Sequence, residues 1–223
     1  MHIPDGFIDI KTSAAFAAAS AVAVAGAVKG ARRQLSEQSA PLAGLTAVFI
    51  FAVQMLNFPV AAGTSGHLIG AALAMVLVGP YAATLALVVV LIIQAFLFAD
   101  GGLTALGLSI FNMAVISVWV SFAVFMLMKK IFPKTKSWLV IATFVSALIS
   151  VPAAAVGFVI QYAIGANATF SVSAVLNAMV GTHILIGIGE AIITALTVSA
   201  VLASRSDLVF GWDKKNTTLE IRS

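Results

Sequence analysis

Long apolar runs alternate with short polar or Gly- and Pro-bearing stretches along the chain. Backbone amides in a bilayer core find no water, so such runs become helices of about 20 residues that satisfy their own hydrogen bonds. The runs are Ala14 to Gly30, Pro41 to Leu56, His67 to Gly79, Tyr81 to Ala99, Leu103 to Met128, Ser137 to Ile164 and Ser173 to Ala203. Only Gly79-Pro80 separates the third from the fourth, so the pattern reads as six spans, one kinked, or as seven.

The placement of positive charge arbitrates, because cytoplasmic loops carry the excess of Lys and Arg. With seven spans, three clusters fall on one face: Lys29, Arg32 and Arg33, then Lys129, Lys130, Lys134 and Lys136, then Arg205, Lys214, Lys215 and Arg222. Only Lys11 is left opposite. Fusing the third and fourth runs would strand the Lys129 to Lys136 cluster outside. The expectation is an all-α membrane protein of seven transmembrane helices, N-terminus outside and C-terminus in the cytoplasm. Its parts are an extracytoplasmic segment 1–10, a seven-helix domain 11–204 and a cytoplasmic tail 205–223.

Composition agrees and removes several classes. At 61% hydrophobic and 9% charged residues, with a mean hydropathy of +1.12, the chain is too apolar for an ordinary soluble domain. There is no cysteine, so disulfides and thiolate metal sites are excluded and any metal must rest on nitrogen or oxygen. The net charge of +4 has a topological origin, and no nucleic-acid partner is expected. A cleaved signal peptide fits poorly, since Asp5 and Asp9 face a single Lys11 where a positive n-region would stand.

Candidate chemistry starts at the third run. From His67 to Gly79 it rises roughly 20 Å at 1.5 Å per residue, against a core about 30 Å thick. The missing depth falls to residues 58–66, a Gly- and Pro-containing stretch expected to dip inward, and non-helical backbone at that depth lines cavities or binding sites. His67 would sit roughly 10 Å below the outer surface. An ordinary helix-start histidine bonded to a neighbouring carbonyl is the plainer reading, but an ionisable residue inside a membrane marks a functional site by default.

His2 can reach it, because ten residues from Met1 to Ile10 span up to about 33 Å when extended. In Met1-His2 the terminal amine, the residue-2 amide nitrogen once deprotonated, and the imidazole Nδ1 close five- and six-membered chelate rings around one metal. His67 would fill the remaining in-plane position. Four nitrogens in a plane suit Ni(II) or Cu(II), with Co(II) possible on the same donors, whereas zinc prefers a tetrahedron. Pro4 and Asp5-Gly6 signal a turn that holds residues 1 and 2 in place, and Phe7, Ile8 and Ile10 would bury the other side of the plug.

His183 and Glu190 are two helical turns apart on one face of the seventh run. His183 would lie near the level of His67, orienting a ligand or pairing with a neighbouring polar side chain. Glu190 would lie deeper, too far from His67 to be a ligand, with a packing hydrogen bond or a coupling role. Gln54, Gln94, Asn112, Gln161 and Asn177 read as interhelical hydrogen bonders. Asn57, just before the dip, could bond the plug.

The MHIPDGF start, the Gly66-His67-Leu68-Ile69-Gly70 stretch and the GTHILIGIGE segment resemble the CbiM/NikM family, the substrate-capture subunits of energy-coupling-factor importers for cobalt and nickel. The likeness runs through Ala203 and fades after Arg205. It implies a six-helix substrate-capture bundle plus an additional N-terminal helix, an inserted N-terminal loop, and a metal held by Met1, His2 and His67. It further implies residence in a prokaryotic cytoplasmic membrane beside a transmembrane coupling subunit, two ABC-type ATPase subunits and often a small accessory membrane subunit. The chain itself has no G-x-x-x-x-G-K-[ST] loop, so it is not expected to be an enzyme. A stand-alone proton-coupled transporter or channel is the competing class, motivated by His183 and Glu190. An intramembrane metalloenzyme comes third, lacking an H-E-x-x-H helix or paired carboxylates.

Overall fold

The computed structural model describes residues 1–34, 39–60, 64–133 and 135–212. Helices dominate: α1 (Ile10–Gln34), α2 (Ser39–Gln54), α3 (Ala71–Leu97), α4 (Leu106–Ile110), α5 (Ser117–Ile131), α6 (Lys136–Gly165) and α7 (Val172–Ser204). α4 runs through a π-helical stretch, Phe111–Ile116, directly into α5, so the three form one rod. Polar residues set the starts. Asp9 Oδ1 accepts from the N–H groups of Lys11 and Thr12 at 2.8 and 2.9 Å ahead of α1. Thr135 and Ser171 accept from the N–H groups of Trp138 and Ala174 at α6 and α7.

Among the described residues the rods number six, not the expected seven, because the third and fourth runs form the single element α3. Five helices are long and apolar enough to cross a membrane, and Ala40–Gln54 is a shorter apolar one. The chain is therefore an integral membrane protein. α3 is not straight. Gly79 has φ 82° and ψ 165°, outside any helix, and Pro80 follows it, a φ that costs glycine little and other residues much. A straight 27-residue helix would hold its ends about 40 Å apart. Both flanks of α3 nevertheless reach the same residue, His67 on one side and Asp100 on the other lying against His2. The chain turns back at Gly79, which packs under Phe210 while the Phe210 N–H donates to the Leu77 carbonyl.

That turn lies at the end of the bundle opposite the N-terminal segment. There Gly30 abuts the Tyr81 ring, Lys129 donates to the Gly211 carbonyl and Lys136 to the Leu202 carbonyl. Lys134 and the tail from residue 213 lie outside the described residues, and so four of the basic residues used to orient the chain, Lys134, Lys214, Lys215 and Arg222, do too.

Helix α3 begins at Ala71 rather than at His67, because Gly70 takes φ 78°. The dip before it is partly regular: β1 (Phe58–Val60) pairs antiparallel with β2 (Thr64–Gly66), Phe58 opposite Gly66 and Val60 opposite Thr64. Its tip, 61–63, lies outside the described residues. α6 and α7 pack along their length. Large apolar side chains such as Val89, Phe96, Leu185 and Leu196 face outward, while Gln94, Asn112, Gln161, His183 and Glu190 are buried. Polar-inside, apolar-outside is the arrangement a bilayer favours.

Candidate metal centre

Residues 1–9 form a plug in the mouth of the bundle. Met1 and Ile3 are fully buried and His2 is 4% exposed. A turn closes where the Phe7 N–H donates to the Pro4 carbonyl, and Phe7 lodges among the rings of Phe158, Tyr162 and Phe170. Main-chain bonds tie both edges: Gly102 N–H to Ile3 C=O at 2.8 Å, Asn167 N–H to Phe7 C=O at 3.1 Å and Asp9 N–H to Gly165 C=O at 2.7 Å. Asp5 Oδ1 accepts from both the N–H and hydroxyl of Thr104. Phe7 and Ile8 bury the plug's flank as expected, but Ile10 is exposed because it already opens α1.

The plug sets the His2 ring on the His67 ring, centroids 4.8 Å apart and planes inclined by 30°. His67 is fully buried. Its Nδ1 contacts the Leu68 carbonyl at 2.8 Å, which must receive a proton, so Nδ1–H is the donor and Nε2 keeps its lone pair. Among the described residues that Nε2 is buried without a partner. In an apolar bundle an orphaned imidazole nitrogen is costly and calls for a ligand.

Burial acts on the plug's own nitrogens in the same sense. It pushes the Met1 terminal amine down from 8.0 to about 4, countered in part by Asp100. It pushes His2 to about 3, helped by the nearby amine. Both are therefore neutral donors at neutral pH. Among the described residues no three His, Asp or Glu side chains cluster as a metal site. A cation held here would need nitrogen beyond the two imidazoles, and the Met1 amine and the His2 main chain are the nitrogens the plug brings beside them.

Asp100 escaped the sequence reading. Its Oδ2 lies 3.5 Å from His2 Nε2 and accepts from Asn57 Nδ2 at 3.0 Å. Burial raises its pKa and the Met1 amine opposes that. At that distance the contact is electrostatic, since His2 Nε2 has no hydrogen-bond partner among the described residues. Asn57 thus reaches the plug's surroundings through Asp100. Gly101, at φ 91°, lets the chain pass so close that a Cβ there would stand 3.0 Å from His2 Cβ. Asp100-Gly101-Gly102 was legible only as a turn. His2, Asp5, Asn57, Ser65 and Asp100 line an open cleft of about 550 Å³ above the ring pair.

His183 is fully buried, donates Nδ1–H to the Met179 carbonyl at 2.7 Å, and keeps an unpartnered Nε2. It stands within electrostatic reach of the Met1 amine and of His67. Glu190 does not touch the rings, and its carboxylate binds the Ile69 and Gly70 N–H groups. Of the remaining polar residues, Asn112 donates to Gln161 across the bundle and Gln54 to the Ile69 carbonyl. The Gln94 side chain has no hydrogen-bond partner among the described residues, and Asn177 faces outward instead of bridging helices.

A family model described as the cobalt uptake substrate-specific transmembrane region, CbiM, matches residues 2–208. The chain belongs to the CbiM family. Among its relatives are the cobalt transport protein CbiM of Sorangium cellulosum, 31% identical over 94% of both chains, and the fused nickel transport protein NikMN of Rhodobacter capsulatus. The latter is 42% identical over 57% of this chain and 37% of its own length. A crystal structure of a truncated transition metal transporter superposes with a TM-score of 0.80 at 32% identity, covering 91% of this CbiM-family chain and 99% of that one.

Proposed function

We propose that this chain is the substrate-binding membrane subunit of an ATP-driven energy-coupling-factor importer and that it captures Ni(II), with Co(II) the alternative cargo. The donors would be the Met1 amine, the deprotonated His2 amide nitrogen, His2 Nδ1 and His67 Nε2. What supports this most is the ring pair, 4.8 Å apart, with the His67 Nε2 unpartnered beside a buried terminal amine. Such a planar set suits Ni(II) and offers substrate no open position for an enzymatic role.

The reading includes seven crossings, with the arms of α3 on either side of Gly79 counted separately. The plug faces outward from a prokaryotic cytoplasmic membrane, and the Lys- and Arg-rich end faces inward. Energy would come from a transmembrane coupling subunit and two ABC-type ATPases, with or without a small accessory subunit. A proton relay through His183 and Glu190 has less support, since Glu190 is engaged by main-chain amides.

The test is Ni(II) titration of the purified protein. One metal per chain with the absorbance of planar low-spin Ni(II) is expected. His2→Ala, or one residue added before Met1, should lower affinity at least a hundredfold. Extension is the sharper variant, because it keeps every side chain and removes only the amine at chelating distance. Unchanged affinity in either would refute the chelate.

A further inference from the structure

Glu190 is buried in α7 to 2% exposure, yet its position is explained by neither capture nor packing. Its Oε2 accepts the Ile69 N–H at 2.6 Å and its Oε1 the Gly70 N–H at 3.0 Å. These are the last amides before α3 starts at Ala71, where unsatisfied donors and the helix dipole favour negative charge. On the other edge of the same segment, Gln54 of α2 donates to the Ile69 carbonyl at 2.7 Å. Residues 67–70 are therefore held by their main chain, from α7 on one side and α2 on the other.

His67 belongs to that segment, and among the described residues its ring makes only a local hydrogen bond, from Nδ1 to the Leu68 carbonyl. Where its Nε2 points is thus decided by where the segment is held. α7 packs chiefly on α6, and between α2 and α7 next to Glu190 lies a gap of about 20 Å³ bordered by Ile50, Val53, Ile193 and Thr194. Two hydrogen bonds from main-chain amides to the Glu190 carboxyl group join α7 to the His67 segment there.

We propose that Glu190 is a positioning residue for metal capture: from α7 it holds the His67 segment so that His67 Nε2 faces the Met1-His2 chelate, and displacement of α7 from α2 withdraws that donor. The inference rests on the reading of His67 as a metal ligand. Both carboxylate oxygens are already engaged, which distinguishes this role from that of a ligand on the cation's route.

The test uses the full chain and Ni(II), with affinity from competition against a chelator, the visible absorbance of the bound metal, and thermal unfolding of the metal-free protein. Glu190→Ala should lose at least tenfold in affinity, chiefly through faster release, and its absorbance should shift toward that of His67→Ala. The decisive comparison is the double variant, which should bind no more weakly than His67→Ala alone, because Glu190 acts only through His67. Glu190→Gln keeps one oxygen acceptor and should fall between wild type and alanine, which preserves the test if Glu190→Ala does not fold. Affinity within twofold of wild type in both Glu190 variants, or losses that multiply in the double variant, would overturn the proposal. If His67→Ala itself leaves affinity and absorbance unchanged, the capture reading fails with it, whatever Glu190 does.

Discussion

Replacing Asp100 by asparagine removes one negative charge beside the ring pair while keeping a side chain of the same shape. On the proposed chemistry, Ni(II) with one deprotonated amide leaves a net charge of about +1 at the centre. Asp100 Oδ2 is 3.5 Å from His2 Nε2, and crossing the ring to a metal on Nδ1 brings the separation to roughly 7 Å. Coulomb's law gives about 2.4 kcal/mol at an effective dielectric of ~20 and about 1.2 kcal/mol at ~40, bracketing a carboxylate that borders an open cleft. At about 1.4 kcal/mol per decade, Asp100→Asn should weaken Ni(II) binding by about 8- to 60-fold. The assay is chelator competition at low and moderate salt, beside the thermal unfolding of the metal-free protein. The loss should shrink as salt rises and should leave the visible absorbance in place, since no donor is removed. An affinity within twofold of wild type at low salt would refute the charge argument, and a changed absorbance would mean that Asp100 holds the ring by more than its charge.

Proton release separates neutral from charged donors. With the Met1 amine at about 4 and His2 at about 3, both are already deprotonated at pH 7. Binding should then release about one proton per Ni(II), from the His2 amide, where an amine of ordinary pKa would add almost one more. Affinity should rise about tenfold per pH unit near neutrality and more steeply only below about pH 4, where the amine takes up its proton. Titration in buffers of different ionisation enthalpy checks this, and release of two protons at pH 7 would contradict it. Gly101→Ala puts a methyl group 3.0 Å from His2 Cβ at φ 91°, costing about 1–2 kcal/mol in backbone strain. Ni(II) affinity should drop about tenfold with the fold retained. An unchanged affinity would mean that the ring is not held by this passage of the chain.

The ring pair was legible because imidazoles stand out against hydrocarbon and because Met-His at a chain start has its own chelating chemistry. Asp100 was hidden: Asp-Gly-Gly between two apolar runs is what any polar loop contains, and only the fold brings that loop over His2. From the sequence Glu190 reads as too deep to be a ligand, with a packing hydrogen bond or a coupling role; its partners are not legible there, because residues 67–70 are non-helical and carry the chain to its carboxylate. The third and fourth runs were recognised as apolar, and Gly79-Pro80 between them as either a kink or a break; that the chain turns back at Gly79 is not written in hydropathy. The π-helical turn at Phe111–Ile116, which carries Asn112 toward Gln161, has no periodic signature either.

The donor set also bears on how a metal could leave. Three of the four proposed nitrogens belong to residues 1 and 2, and the fourth to a segment tethered by side chains of two helices. No donor lies on a rod, so the bundle can stay packed while the site comes apart. The plug's main-chain hydrogen bonds to Gly102, Asn167 and Gly165 fall outside the regular span of α3 or at the end of α6, and Thr104 of the same loop donates to Asp5, while the Ile3 N–H donates to Ser109 Oγ on α4. A rearrangement that moves these loops, or that parts α7 from α2, breaks the plane of nitrogens without unfolding a helix. In an apolar interior a cation stripped of one imidazole is poorly solvated, so loss of a single donor raises its free energy sharply. A site assembled from a chain terminus and a stapled loop can therefore hold its metal tightly in one arrangement and release it in another, with the stability of the helices left out of the exchange.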